Sequence, residues 1–226
     1  MAHRKPLTLF FAGTDTDVGK TYVASLAAEV FRQQGREVGV YKPVASGCRT
    51  VEGELVADDA VSLWNAAGQP RTLADVCPQR FREPLAPPEA ARMENKRVDA
   101  ELLRAGYDCW SDDFDVVIVE GAGGLFSPLA DDLLNIDLVT QLSPRVVIVA
   151  ANRLGVIHQT LCVCEAAAHR GIQPVGIVLC DPTGNADASS NTNASQISRY
   201  CSIPLLGCVP YAAKVDDVEF LQALLS

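Results

Sequence analysis

The sequence predicts an α/β protein, a doubly wound and mostly parallel sheet with helices on both faces, and three observations carry that expectation. Short continuous apolar runs rich in β-branched residues recur along the chain, as strands buried on both faces of a parallel sheet require. Segments with apolar residues at helical spacing separate them. Strand and helix in alternation imply crossover connections, with a ligand crevice at the carboxyl ends of the strands.

The strand-like runs fall at residues 7–12, 37–41, 114–119, 145–150, 174–179 and 205–209. Between the first two, Val23, Leu26, Ala27, Val30 and Phe31 repeat on one helical face, and Gly35 is a natural stop. Further helices are predicted over 59–65, 99–107, 135–142, 156–170, 190–200 and 215–224, while 48–56 and the proline-rich 71–91 read as loops. A chain of 226 residues with 48% hydrophobic residues and no internal repeat is expected to form one domain over 1–226.

Charge narrows the partners. A formal net charge of −9 repels phosphate backbones and anionic lipid faces, so neither nucleic acid nor a membrane is expected as a partner. The 8 cysteines are scattered, and MAHRKPLTLFF at the N-terminus lacks a long apolar core with a cleavage site, so a reducing cytoplasm is the expected location. Cys162 and Cys164 lie two apart in a predicted helix and point in nearly opposite directions, which suits neither pairing nor chelation.

Chemistry concentrates where strands end. GTDTDVGKT, Gly13 to Thr21, joins the first strand to the first helix, where backbone N–H groups and the positive helix end favour a polyphosphate. It departs from the strict P-loop spacing by one extra residue before Gly19-Lys20-Thr21. Lys20 is placed to reach the terminal phosphates and Thr21 to ligate Mg²⁺. Glu120 closes the strand "FDVVIVEGAGG" and takes the position of the second magnesium-side acid, with Gly121, Gly123 and Gly124, on either side of Ala122, letting backbone approach a ligand. Lys42 ends the second strand beside Ser46 and Gly47, a second ammonium for charge that spreads over the phosphoryl oxygens. Asp58 and Asp59 precede a helix, and from position alone either can be an N-cap or a ligand.

GTDTDVGKT, YKPVASG, the acid before AVSL, REPLAPPEAA, VEGAGGLFSPL and NRLGVIHQT resemble, in this order, the motifs of the dethiobiotin synthetase family. The resemblance implies a P-loop synthetase that takes 7,8-diaminopelargonate, CO₂ and ATP to dethiobiotin through an N-carbamate and a carbamic-phosphoric mixed anhydride. It implies Thr21, Asp59 and Glu120 as Mg²⁺ ligands, Lys42 and Lys20 as catalytic cations, and Thr16 and Ser46 as hydroxyl contacts. It further implies nucleotide contacts from Gly13, Asp17, Val18, Gly19, Tyr22, Gly121 to Gly123, Cys180, Asp181, Pro210 and Tyr211. The substrate carboxylate would meet the helix start Gly155, Val156, Ile157 and His158 at a homodimer interface.

Two departures from the family's pattern matter. Cys180 stands where an asparagine commonly recognises adenine, and a thiol cannot donate and accept as an amide does, so other nucleoside triphosphates are expected to serve. Asp17 replaces a frequent glutamate; among the substrate's amines it has a cation to face, whereas Asp15 suits the loop's own backbone. The alternative reading is a partitioning-type P-loop ATPase switch, which carries a further lysine near the loop start; Thr14 and Asp15 stand there instead.

Overall fold

A computed structural model describes residues 5–185 and 187–225. Its chain runs β1 (Leu7–Gly13), α1 (Lys20–Gln33), β2 (Val38–Tyr41), β3 (Val44–Ala45), β4 (Arg49–Val51), β5 (Glu54–Val56), α2 (Asp58–Ala66), α3 (Leu73–Val76), β6 (Gln79–Arg80) and α4 (Pro87–Met93). It continues through α5 (Ala100–Ala105), β7 (Val116–Gly124), β8 (Pro128–Ala130), β9 (Leu133–Leu134), α6 (Asn135–Leu142), β10 (Arg145–Ala151), α7 (Val156–His169), β11 (Gly176–Cys180), α8 (Ser190–Tyr200) and β12 (Leu205–Val209). The main sheet has 6 strands in the order β12-β11-β10-β1-β7-β2, and every pairing in it is parallel.

This order explains the crevice. From β1 the chain winds first toward β2 and β7, then returns to the other side for β10, β11 and β12. Right-handed crossovers in opposite directions put helices on both faces and leave a gap above the switch point at β1. The central strands are buried almost end to end, which is why they read as unbroken apolar runs. In α1, Val23, Ala27, Val30 and Phe31 face the core, and burying Phe31 alone contributes about 1.5–3 kcal/mol.

The elements differ from the sequence expectation in several places. The stretch 48–56 contains an antiparallel hairpin, β4 with β5, rather than a loop. Residues 71–91 hold α3, β6 and the start of α4, where Pro87 and Pro88 open the helix, a position that needs no N–H. The helix expected over 99–107 stops at Ala105, and a 3-10 turn, Asp108–Trp110, follows. The C-terminal segment Val215–Leu225 is 3-10 in character with a kink at Val218, and packs on α1 and β12.

A further difference bears on function. Glu120 lies inside β7, which runs on to Gly124, instead of ending it. Phe11 pairs with Glu120 but Gly13 pairs with Gly124, so four steps along β7 match two along β1. The surplus backbone arches out of the sheet at Gly121 to Gly123. Likewise Cys180 is the last residue of β11 rather than the residue beyond it.

Candidate active site

Gly19 is the hinge of the first loop. Its φ of 90° is left-handed, and a Cβ there would lie 2.5 Å from the Cys180 sulfur, so only glycine fits. Lys20 opens α1 directly after it and is 7% exposed. The ammonium donates to the Asp15 carbonyl at 3.2 Å, and burial pushes its pKa down despite the nearby carboxylates. A buried ammonium held by a single carbonyl favours arrival of an anion. Asp15 serves the loop as anticipated, with Oδ1 accepting from the Thr16 N–H at 2.7 Å. Asp17 is exposed and held in left-handed backbone at φ 52°.

Opposite Lys20, the second cation is locked between two acids. Lys42 Nζ donates to Glu120 Oε1 at 2.6 Å and to Asp59 Oδ2 at 2.9 Å. Burial pulls the Lys42 pKa down, but the Glu120 and Asp59 charges push it up further, and the net shift is upward. Lys42 therefore stays an ammonium and acts as a fixed positive charge, not as a proton acceptor. The Lys42 charge in turn holds Asp59 below the ordinary aspartate range. Thr21 completes the set by donating its hydroxyl to Glu120 Oε1 at 2.9 Å.

The choice between Asp58 and Asp59 is made by the start of α2. Asp58 turns outward to the Arg49 guanidinium on the hairpin, 2.6 Å away, while Asp59 turns in to Lys42. Neighbouring helical positions point about 100° apart, so only one of the pair can enter the crevice.

One cavity of about 350 Å³ gathers Thr16, Asp17, Gly19, Lys20, Thr21, Tyr22, Lys42, Ser46, Asp59, Glu120, Ala122 and Gly123. Its oxygen donors suit a hard cation: the Thr21 hydroxyl, the Asp59 carboxylate and Glu120 Oε2, which is buried with no hydrogen-bond partner among the described residues. Those residues fit Mg²⁺, the ion implied by the loop. Other anticipated residues lie elsewhere. Gly13 and Val18 are buried beneath the loop, and Gly121 faces Asn135 behind the arch.

A second cleft, of about 460 Å³, lies above β11 and β12 and includes Asp181 and Pro210. Asn152, Ser190 and Asp217 also line it; Asn152 opens the NRLGVIHQT motif, whereas no local pattern distinguished Ser190 or Asp217 in the sequence. Cys180 sits below, fully buried against Gly19, its thiol pushed up to about 12 by burial and kept neutral. Tyr211 is largely exposed and packs near Gly184. The α7 start, Gly155 to His158, belongs to neither cavity; Gly155 has φ 95°, Val156 is buried, Ile157 half-buried and His158 exposed.

A glycine loop between a parallel strand and a helix, with a buried lysine and a hydroxyl at the helix start, defines a P-loop nucleotide-binding protein. Residues 7–219 match the family model described as an AAA domain. The chain is 46% identical over 211 residues to a protein of Rhodopirellula baltica named ATP-dependent dethiobiotin synthetase BioD, covering 88% of this chain and 82% of that one. A Bacillus licheniformis protein of the same name is 38% identical over 216 residues, 94% of this chain and 88% of that one. Among solved structures, the signal recognition particle receptor FtsY of Elizabethkingia anophelis shares the fold, with a TM-score of 0.55 at 18% identity over 100% of this chain and 68% of that chain. The chain belongs to the dethiobiotin synthetase family.

Proposed function

We propose that this protein catalyses the ATP-dependent carboxylation and ring closure of 7,8-diaminopelargonate with CO₂ to dethiobiotin, acting as one synthetase domain, as a homodimer, in the cytoplasm. The observation that carries the reading is the convergence of Lys20, Thr21, Lys42, Asp59 and Glu120 in one cavity at the carboxyl ends of β1, β2 and β7. Eight free cysteines agree with a reducing compartment, and no helix among the described residues is long and apolar enough to cross a membrane.

The chemistry has three steps. One substrate amine attacks CO₂ and loses a proton, giving a carbamate. A carbamate oxygen attacks the γ-phosphorus, and the bond to ADP breaks. The second amine then attacks the carbonyl carbon of the mixed anhydride, phosphate leaves, and the ureido ring closes with loss of a second proton.

Two anions must meet in the second step, and the chain offers fixed cations for this. Lys20 and Lys42 are immobilised before any ligand arrives, so their charges need no reorganisation as charge spreads over the phosphoryl oxygens. Among the described residues, three carboxylates, Asp17, Asp59 and Glu120, share the cavity with these two ammonium groups. Mg²⁺ held by Thr21, Asp59 and Glu120 would supply the missing positive charge and orient phosphate oxygens. Thr16, Ser46 and Asp17 line the same cavity; in this reading the two hydroxyls would donate to the carbamate and Asp17 would face the amines. The N-terminus of α7, Gly155 to His158, would offer a seat for the substrate carboxylate, beside a neighbouring subunit.

The reading is tested by ADP release from purified protein with and without diaminopelargonate and bicarbonate. Release that depends on both is expected, and release independent of either rejects it in favour of an ATPase switch. Substituting CTP or GTP is expected to leave substantial turnover, because the neutral Cys180 thiol packs under the loop and presents no amide to a base; strict dependence on ATP contradicts that point. Asp17→Asn is expected to raise KM for the diamine with little change in KM for ATP. An unchanged diamine KM removes Asp17 from contact with the amines.

A further inference from the structure

Asn135 is a polar residue buried to 1% exposure, outside every motif discussed above. It opens α6, directly behind the β7 arch, and its side chain is turned inward. Its Nδ2 donates to the carbonyls of Ala122 at 2.7 Å and Gly124 at 2.8 Å, and reaches that of Ser127 at 3.3 Å. The Ser127 hydroxyl accepts from the Gly124 N–H at 2.9 Å, on the same arch. Asn135 Oδ1 has no hydrogen-bond partner among the described residues and packs on Gly121, where a Cβ would come within 2.3 Å of it.

The geometry leaves one orientation for this amide, since three carbonyl oxygens surround the nitrogen and require a donor. One side chain thus grips the arch on both sides of Gly123 and presses on the residue next to Glu120. Ala122 and Gly123 line the cavity; Asn135 does not. Peptide carbonyls that faced the cavity would repel a phosphate or carbamate, and the amide draws two of them to the rear.

We infer that Asn135 is a positioning residue for phosphoryl transfer, one that acts through the Glu120 to Gly124 arch. The inference rests on the synthetase reading above. Its function is to hold Glu120 and the arch backbone in the geometry the transition state needs, while the nucleotide remains anchored by the separate Gly19-Lys20-Thr21 loop. A residue of this kind changes kcat far more than it changes nucleotide KM.

The test is steady-state kinetics of Asn135→Ser and Asn135→Asp beside wild type, with thermal melting and near-ultraviolet circular dichroism of each. Aspartate keeps the size but offers no N–H to the carbonyls; serine vacates space without adding charge, so either one alone suffices if the other does not fold. In a folded variant, kcat is expected to fall about 10- to 100-fold while KM for ATP stays within about twofold. A kcat within about twofold of wild type, or a loss confined to KM for ATP, overturns the inference. Wild-type protein whose ADP release does not require diamine and bicarbonate overturns the synthetase reading instead, so the two failures are distinct.

Discussion

Lys42→Gln is expected to abolish synthesis, lowering turnover by at least about 10²–10³-fold, the usual cost of deleting one preorganised electrostatic contact to a developing charge. Ammonium geometry is the reason. Two acids hold Lys42 in place, Glu120 at 2.6 Å and Asp59 at 2.9 Å, and its raised pKa keeps it charged over the whole working range. Glutamine preserves much of the volume and none of the charge. Single-turnover assays with bound ATP isolate the chemical step, and a rate near wild type removes Lys42 from its role.

The same substitution carries a structural cost. Glu120 is fully buried, and without Lys42 its carboxylate loses its nearest counter-charge. Removing one partner of a buried ion pair typically destabilises by about 3–5 kcal/mol, and with about 2–4 °C per kcal/mol at this chain length the melting point should fall by on the order of 10 °C. Asp59 adds less, because its side chain is half-exposed and water screens it.

Glu120→Gln in the Lys42→Gln background is therefore expected to restore part of the lost stability while leaving the protein inactive. In the double variant neither side chain of this pair is charged, whereas Lys42→Gln strips buried Glu120 of its nearest counter-charge and Glu120→Gln leaves Lys42 with Asp59 alone. Denaturation of wild type, both singles and the double gives the cycle, with a coupling of about 0.5–3 kcal/mol expected for residues in direct contact. Strictly additive losses would show that Lys42 and Glu120 do not form a pair in solution, contrary to their 2.6 Å separation.

Much of the site was legible because it is built at strand ends from local sequence. Gly13 to Thr21 had to be a turn between a buried strand and an amphipathic helix, and its glycines and lysine already specified an anion. Lys42 and Glu120 were legible for the same reason, each following a run of apolar residues that had to be a central strand. Misreadings cluster where local pattern is weak. The hairpin at β4 and β5 has exposed or half-buried residues throughout, so alternation could not reveal it. Two of its residues flank a polar turn, and only pairing across that turn makes them strands.

By itself, the sequence determined the order of the main-sheet strands and the longer helices, the phosphate-binding loop and the identity of the charged residues around it, since these follow from periodicity and from chemistry carried within a few consecutive residues. Tertiary structure alone decided three things: that Asp59 rather than Asp58 turns inward, that β7 overruns β1 and throws its glycines into an arch, and that Asn135 stands behind that arch. Each depends on packing between separate elements of the chain. Asn135 meets Ala122 and Gly124 only because α6 returns against β7, and no spacing along a single segment encodes that encounter.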